Sequence, residues 1–357
     1  MKAFRGTVAV TGLNATDNPG PGVAVIRSLR QDPLFQGQIV GLAYETLDPG
    51  LYCEGLLDAA FLIPYPSTGR EAVFSRLAYI KETAGLDVLI PTLDSEIPSF
   101  LGQETVLEAM GIKTFLPTKK QFDSRAKANL DALREDHGIP VPRCETLTST
   151  DPLYSIQERF DWPLVIKGVF YGAKIVGSTD EALSAFHHAA AKWGLPVIAQ
   201  SYVAGEEVNV CAIGDGKGGL VGAVAMRKMM LTDSGKGWAG VTIKDEGLMA
   251  LTKTFMAATH WRGPCEVEVI RDDKGNYHLL EVNPRFPAWC DLTAGAGQNQ
   301  AMAYVRLACG ERIDTLPDYE VGMAFVRISL DQIIHISQLE AITAFGEVFS
   351  HTLRRTA

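Results

Sequence analysis

The sequence predicts an α/β protein with more than one core, opening on a parallel sheet, and three observations predict it. The first hundred residues alternate short β-branched runs with amphipathic segments, the pattern that yields parallel strands joined by helices. The chain of 357 residues exceeds what one small core organises and implies two or three domains. Hydrophobic content of 46% against 21% charged residues is ordinary for a soluble globular chain.

Thr7 to Thr11 reads as a strand ending at Gly12, and Asn18-Pro-Gly-Pro-Gly22 leads into an amphipathic helix from Val23 to Arg30. Ile39 to Tyr44 and Ala60 to Ile63 read as strands, Glu71 to Ala84 as a helix and Asp87 to Pro91 as a further strand. Gly20 and Gly22 could hold an anion at a helix N-terminus, but the Gly-x-Gly-x-x-Gly spacing of dinucleotide sites is missing, and tight-turn packing explains both glycines. Asp94 and Glu96 lie past a strand's carboxyl end, where open sheets bind ligands; Asp94 or Ser95 as a helix cap is the simpler reading.

Leu116-Pro117 marks a boundary. From Asp123 the chain reads as a capped helix that carries Lys127 and ends near Gly138, with Pro140 and Pro142 beyond. Taken by itself, Lys127 is a solvated lysine. Trp162 to Gly168 is an apolar strand closed by Lys167, a compact point charge suited to phosphate, and a glycine-containing loop follows. Val197 to Val203 reads as a strand that breaks and resumes after Gly205 toward Glu206 and Glu207, either a purine-reading edge or an ordinary hairpin. Thr232 to Gly240, with three glycines, reads as a mobile loop. Gly295 and Gly297 precede a helix near Gln300 to Cys309, and the tail from Met323 adds a strand and a final helix.

The most chemically loaded stretch runs from Gly263 to Trp289. Cys265 to Arg271 and Tyr277 to Val282 form two extended runs around the turn-forming Asp273-Lys274-Gly275-Asn276. Side chains alternate along a strand, so Glu266 and Glu268 share one face and Glu281 and Asn283 share another. Across a hairpin these oxygens converge, a donor set suited to a hard dication such as Mg²⁺, with Arg285 as a fixed positive charge beside it.

The formal net charge of −9 argues against a nucleic-acid backbone as partner. Six cysteines are scattered without Cys-x-x-Cys pairing and read as reduced core thiols. No secretory leader and no bilayer-length apolar run is recognisable, which points to the cytoplasm and to no membrane association.

Lys127 ahead of Gly-Ile-Pro-Val-Pro, Lys167 closing a strand, Gln200 to Glu207, and the set Glu268, Glu281, Asn283 and Arg285 stand in the order and approximate spacing of the ATP-grasp superfamily. The chain resembles that superfamily over nearly its whole length, and its opening is similar to carbamoyl-phosphate-synthase-like members. The resemblance implies a Rossmann-like pre-ATP-grasp domain at 1–117, followed by a two-subdomain ATP-grasp fold at 118–200 and 201–357. It implies that Lys127 and Lys167 contact ATP phosphates, that Ser201 and Val203 present backbone groups to adenine beside Gln200, and that Glu207 holds the ribose hydroxyls. Glu268, Glu281 and Asn283 would ligate two Mg²⁺ ions, or Mn²⁺ in their place, and Arg285 would stabilise the transferring phosphoryl.

Three departures stand out. Gln200 replaces a common glutamate. The loop after Lys167 is short and carries Phe170 and Tyr171. Glu266 occupies a position where D-alanine ligases carry a substrate-activating arginine, and an acid there could meet an amine instead.

The implied function is an ATP-dependent carboxylate–amine ligase, with a small-molecule carboxylate and an amine as substrates, working through an acyl phosphate. Activation of a small carboxylate such as bicarbonate, a non-catalytic ATP-binding scaffold or sensor, and more distantly a nicotinamide dehydrogenase remain as alternatives. Phe286, Trp289 and the segment Lys236 to Trp238 are candidates for an acceptor pocket, with buried core as the competing role for the two aromatics. Proteins of this resemblance often form homodimers, a point the sequence leaves undecided.

Overall fold

A computed structural model describes residues 2–15, 17–125, 129–168, 172–233 and 235–349, and three sheets organise them. In the first, β1 (Thr7–Val10), β2 (Gln38–Ala43), β3 (Ala59–Leu62) and β4 (Leu86–Ile90) pair in parallel. Helices α1 (Pro21–Gln31) and α2 (Arg70–Ala84) connect them, and the short α3 (Ile97–Phe100) and α4 (Glu104–Ala109) follow β4. β1 is buried along its length, which is why it reads as an unbroken apolar run rather than an alternating one. The order β3-β2-β1-β4 places the chain's reversal of direction between β1 and β4, and the crevice outside their carboxyl ends is where such sheets receive ligands.

The Asn18–Gly22 turn is explained by packing. A Cβ on Gly22 would stand 2.0 Å from the Thr11 carbonyl oxygen, and one on Gly12, whose φ is +72°, would stand 2.1 Å from the Thr92 hydroxyl. Only glycine lets α1 approach β1 this closely.

Below the crevice, Glu96 is fully buried. It accepts hydrogen bonds from the Thr92 N–H at 2.7 Å, the Leu93 N–H at 2.8 Å, the Tyr44 hydroxyl at 2.5 Å and the Thr11 hydroxyl. Burial nevertheless raises its pKa above the ordinary carboxyl range, the hydrogen bonds opposing. The folded chain then keeps this proton to higher pH than the unfolded chain does, so stability falls as pH rises from the ordinary carboxyl range through the raised value. Glu96→Gln is expected to flatten that slope, read as urea midpoints measured across pH.

The segment 118–201 builds the second sheet. α5 (Lys119–Ser124) and α6 (Leu130–His137) precede β5 (Cys144–Leu147), β6 (Leu164–Gly168), β7 (Ala173–Val176), α7 (Thr179–Trp193) and β8 (Val197–Ser201). The helix expected to start at Asp123 begins earlier. Thr118 caps α5 in a reciprocal capping box with Gln121, so Asp123 lies inside that helix, and α6 ends on Gly138 in the left-handed conformation. The four strands are antiparallel in the order β5-β8-β6-β7, and α7 covers the face that carries Ile166 and Ala199. By alternation, Lys167 and Gln200 face the other way.

The third sheet holds β9 (Gly205–Asp215), β10 (Leu220–Leu231), β11 (Gly237–Thr242), β12 (Arg262–Asp272), β13 (Tyr277–Asn283) and β14 (Ala324–Val326), in the order β13-β12-β9-β10-β11-β14. α8 (Glu246–Thr259) packs Leu248, Leu251 and Phe255 against Val208, Val210, Val267 and Val269 on one face. On the other, Cys211, Ile213 and Met226 join a core with α10 (Gln300–Ala308) and α1, with α9 (Asp291–Gly295) alongside.

The expected loop at Thr232 to Gly240 is sheet only in its second part. Gly237 to Thr242 form β11, and the turn is confined to the residues before it. Gly240 is needed there for packing, since a Cβ would come 2.6 Å from the Met226 sulfur and 2.8 Å from the Phe325 ring. The tail gives β14, then α11 (Ile336–Phe345), and ends on β15 (Glu347–Phe349), which pairs antiparallel with β3 at the edge of the first sheet.

Candidate functional site

The acidic face of the third sheet is set by register. Glu266 stands opposite Asn283 and Glu268 opposite Glu281, while β9 brings Asn209 beside Glu268. A bulge between Glu268 and Val269 shifts the pairing, so Val269 meets Leu279. Plain alternation would put Leu279 on the face of Glu281. The bulge turns Leu279 into the core with Val282 and leaves Glu281 and Asn283 with the acids, a common use of bulges beside functional sites.

Glu266 is the most tightly held of the acids. One carboxylate oxygen accepts from Asn209 Nδ2 at 2.9 Å and Trp289 Nε1 at 2.7 Å; the other accepts from Asn283 Nδ2 and Arg285 Nη1, both at 3.3 Å. With four donors from its own chain, this carboxylate is already satisfied. Asn283 Nδ2 also donates to Glu268 Oε1 at 2.7 Å. Burial pushes the Glu268 pKa up to about 8, with Glu266 and Glu281 adding repulsion and Lys228 opposing.

Arg285 links this face to the first sheet. Its Nε donates to Asp94 Oδ2 at 2.9 Å, so Asp94, read from sequence as a cap, is a long-range ion-pair partner. α3 starts after Glu96 without any side-chain cap. Burial alone would lower the Arg285 pKa, and the Asp94 and Glu266 carboxylates more than reverse it.

The second sheet contributes Lys167 and Gln200. Lys167 is buried and its Nζ donates to Gln200 Oε1 at 2.6 Å. Gln200 Nε2 is buried with no hydrogen-bond partner among the described residues. An unsatisfied buried amide donor is costly and fits a ligand acceptor such as a purine nitrogen. The Ser201 N–H donates to the Arg143 carbonyl at 2.9 Å, and Val203 lies half-buried in the break between β8 and β9. Gly205 restarts the sheet so close to β12 that a Cβ would sit 2.3 Å from the Arg271 carbonyl oxygen.

Glu207 accepts from Lys228 Nζ at 2.9 Å, and the same ammonium lies 3.9 Å from Glu268 Oε2. Burial works to lower the Lys228 pKa, but Glu268 and Glu207 outweigh it and hold it above the ordinary value. The structure therefore brings Glu207, Glu268, Asn283 and Arg285 into one connected surface, with Glu281 in register. Lys127, and Phe170 and Tyr171 of the loop after Lys167, lie outside the described residues.

Sequence reasoning missed Lys228 and Asn209. Each sits on a long strand whose partner register had to be known before its neighbours were. Phe286 and Trp289 are buried, Phe286 in the core and Trp289 with its indole N–H committed to Glu266, which resolves them as framework rather than pocket wall.

Among the described residues no three His, Cys, Asp or Glu side chains form a metal cage by themselves. Two carboxylates and an amide, with burial first and the Glu266 and Glu281 charges second opposing ionisation of Glu268, do fit a hard dication whose charge would offset that repulsion and which takes its remaining ligands from phosphate and water. Among the described residues no helix is long and apolar enough to cross a membrane.

Comparison with known proteins bears on the family and the fold. A family described as "ATP-grasp in the biosynthetic pathway with Ter operon" matches residues 195–329. Phosphoribosylamine–glycine ligase of Synechocystis sp. is 31% identical over 127 residues, covering 34% of this chain and 30% of that protein. D-Alanine–D-alanine ligase of Chromohalobacter salexigens is 27% identical over 159 residues, covering 41% and 51%. The chain thus spans between about a third and a half of the length of these curated relatives. The biotin carboxylase domain of Hydrogenobacter thermophilus 2-oxoglutarate carboxylase, solved with MgADP, ADP and bicarbonate, superposes with a TM-score of 0.67 at 17% identity, over 88% of this chain and 71% of that one.

Fold and sequence together define an α/β protein of the class in which a parallel sheet is joined to two antiparallel sheets. The chain belongs to the ATP-grasp superfamily.

Proposed function

We propose that the protein is an ATP-dependent carboxylate–amine ligase. The observation that carries the reading is the pair Glu268 and Glu281, in register on adjacent strands, with Arg285 anchored beside them by Asp94 and Glu266. The two sequence relatives, both named as ligases, support the reaction class.

In this reading Gln200 and the chain break at Val203 receive adenine, Glu207 the ribose, and Lys127 and Lys167 the phosphates. Glu268, Glu281 and Asn283 would hold Mg²⁺, or Mn²⁺, which supplies charge neutralisation to the transferring phosphoryl. A carboxylate oxygen of the substrate attacks the γ-phosphorus and ADP leaves, giving an acyl phosphate. The amine nitrogen attacks the acyl carbon, phosphate departs with the carbon–oxygen bond electrons, and the nitrogen loses a proton. Arg285, held on two sides, supplies preorganised positive charge where negative charge develops. Lys228 lies between Glu207 and Glu268, offsets their mutual repulsion and orients both.

The test is phosphate release from Mg-ATP by the purified protein, against a panel of amino acids and small carboxylates including bicarbonate, with and without amine acceptors. Release that needs both an acid and an amine is the expected result. Bicarbonate-dependent release without an amine would move the assignment to small-carboxylate activation, and tight ATP binding with silence across the panel would favour a sensor.

A further inference from the structure

We infer that Gln200 sets the nucleobase preference of this protein, and that it admits 6-oxo purine nucleotides, of the guanosine and inosine type, alongside adenosine nucleotides. The inference rests on the ligase reading, which places the base at Gln200.

Two buried side chains fix the amide. Gln200 is 4% exposed and Lys167 7%, and the Lys167 ammonium donates to Gln200 Oε1 at 2.6 Å. An ammonium has donors and no acceptor, so only the carbonyl end of the amide can face it. The orientation of Gln200 is therefore set. Its Nε2 is the other end, buried and without a hydrogen-bond partner among the described residues. Val165, opposite Gln200 in the ladder, has no side-chain acceptor to give it, and β8 stops one residue later at the break before Gly205. The site thus offers an N–H pair that lacks an acceptor, and a buried donor left in that state is costly.

The two kinds of purine differ at the edge such a donor reads. Both carry an acceptor at N7, but the neighbouring 6-position is an amino donor in adenine and a carbonyl acceptor in guanine and hypoxanthine. An amide N–H pair is satisfied by N7 of either base, and by O6 of the 6-oxo purines as well. A glutamate at position 200 would present acceptors only, so it would attract the adenine amino group and repel O6. Gln200 removes that exclusion.

Titration calorimetry of the full chain with ADP and IDP, in the presence of Mg²⁺, measures the effect for the wild type, Gln200→Glu and Gln200→Met. ADP and IDP share ribose and phosphates and differ only at the 6-position and the N1 proton beside it. The ratio of their affinities therefore cancels any change in how Lys167 meets the phosphates. The wild type is expected to bind IDP within about tenfold of ADP, and Gln200→Glu to widen the ratio at least about tenfold in favour of ADP. Gln200→Met, which offers neither donor nor acceptor of strength, is expected to fall between.

A wild type that binds ADP but holds IDP more weakly than that limit overturns the inference, as does an ADP-to-IDP ratio that Gln200→Glu leaves unchanged. If Gln200→Glu fails to fold, the wild-type ratio and Gln200→Met decide, and a ratio equal in those two proteins overturns it. Failure of the wild type to bind either nucleotide would remove the ligase reading itself, whereas intact ADP binding with IDP excluded removes only the role of Gln200.

Discussion

Glu281→Ala is expected to lower Mg-ATP-dependent phosphate release by about two to three orders of magnitude, the scale seen when a preorganised electrostatic group is lost from a transition state. Glu281 faces Glu268 in register and is one of the charges that raise the Glu268 pKa. Removing it takes away one of the carboxylates proposed to hold the metal and at the same time relieves repulsion on Glu268. The remaining acid should then titrate nearer the ordinary carboxyl range, so raising the pH does not rescue the variant. Phosphate release measured across pH, with thermal melting as the check on folding, separates this from a general loss of structure. A folded variant with wild-type turnover would dismiss the hairpin as the catalytic acid face.

Arg285→Met should do two kinds of damage. Turnover is expected to fall about 10²- to 10³-fold, because the fixed positive charge at the acidic face is gone. Stability is expected to fall as well, by about 3–5 kcal/mol, since the buried Glu266 and the Asp94 carboxylate lose the partner that compensates them. Urea unfolding reads the second effect independently of activity. The double variant Arg285→Met with Glu266→Gln removes the stranded charge along with its partner and is expected to regain part of the stability and none of the turnover. If activity returned with stability, Arg285 would be a structural ion and nothing more.

Much of this site was legible before any coordinates, because strand alternation is a rigid rule. Glu268, Glu281 and Asn283 could be placed on converging faces from spacing alone, and Lys167 stood out as a charge at the end of an apolar strand. The connections made through register or across the chain were not legible. Lys228 reaches Glu207 only because β10 pairs with β9 at one offset, and Asp94 meets Arg285 across 191 residues. The bulge beside Glu268 leaves no local signal in Leu279 and Leu280. The hairpin at Thr232 to Gly240 was hidden for the opposite reason: its glycines advertise a loop, while β11 uses Gly240 to let Met226 and Phe325 pack close.

The return of the chain's last described strand to its first sheet bears on how the molecule is made. β15 covers β3 by pairing Glu347 with Phe61, partners separated by roughly three hundred residues of sequence. On a ribosome adding about 5–20 residues per second, the outer edge of β3 waits about 15–60 s for that neighbour. Throughout that interval the earliest sheet presents an open row of backbone donors and acceptors, the kind of surface that recruits strands from other chains and occupies holdase chaperones. Among the described sheets, the one that is made first is thus the one that is finished last.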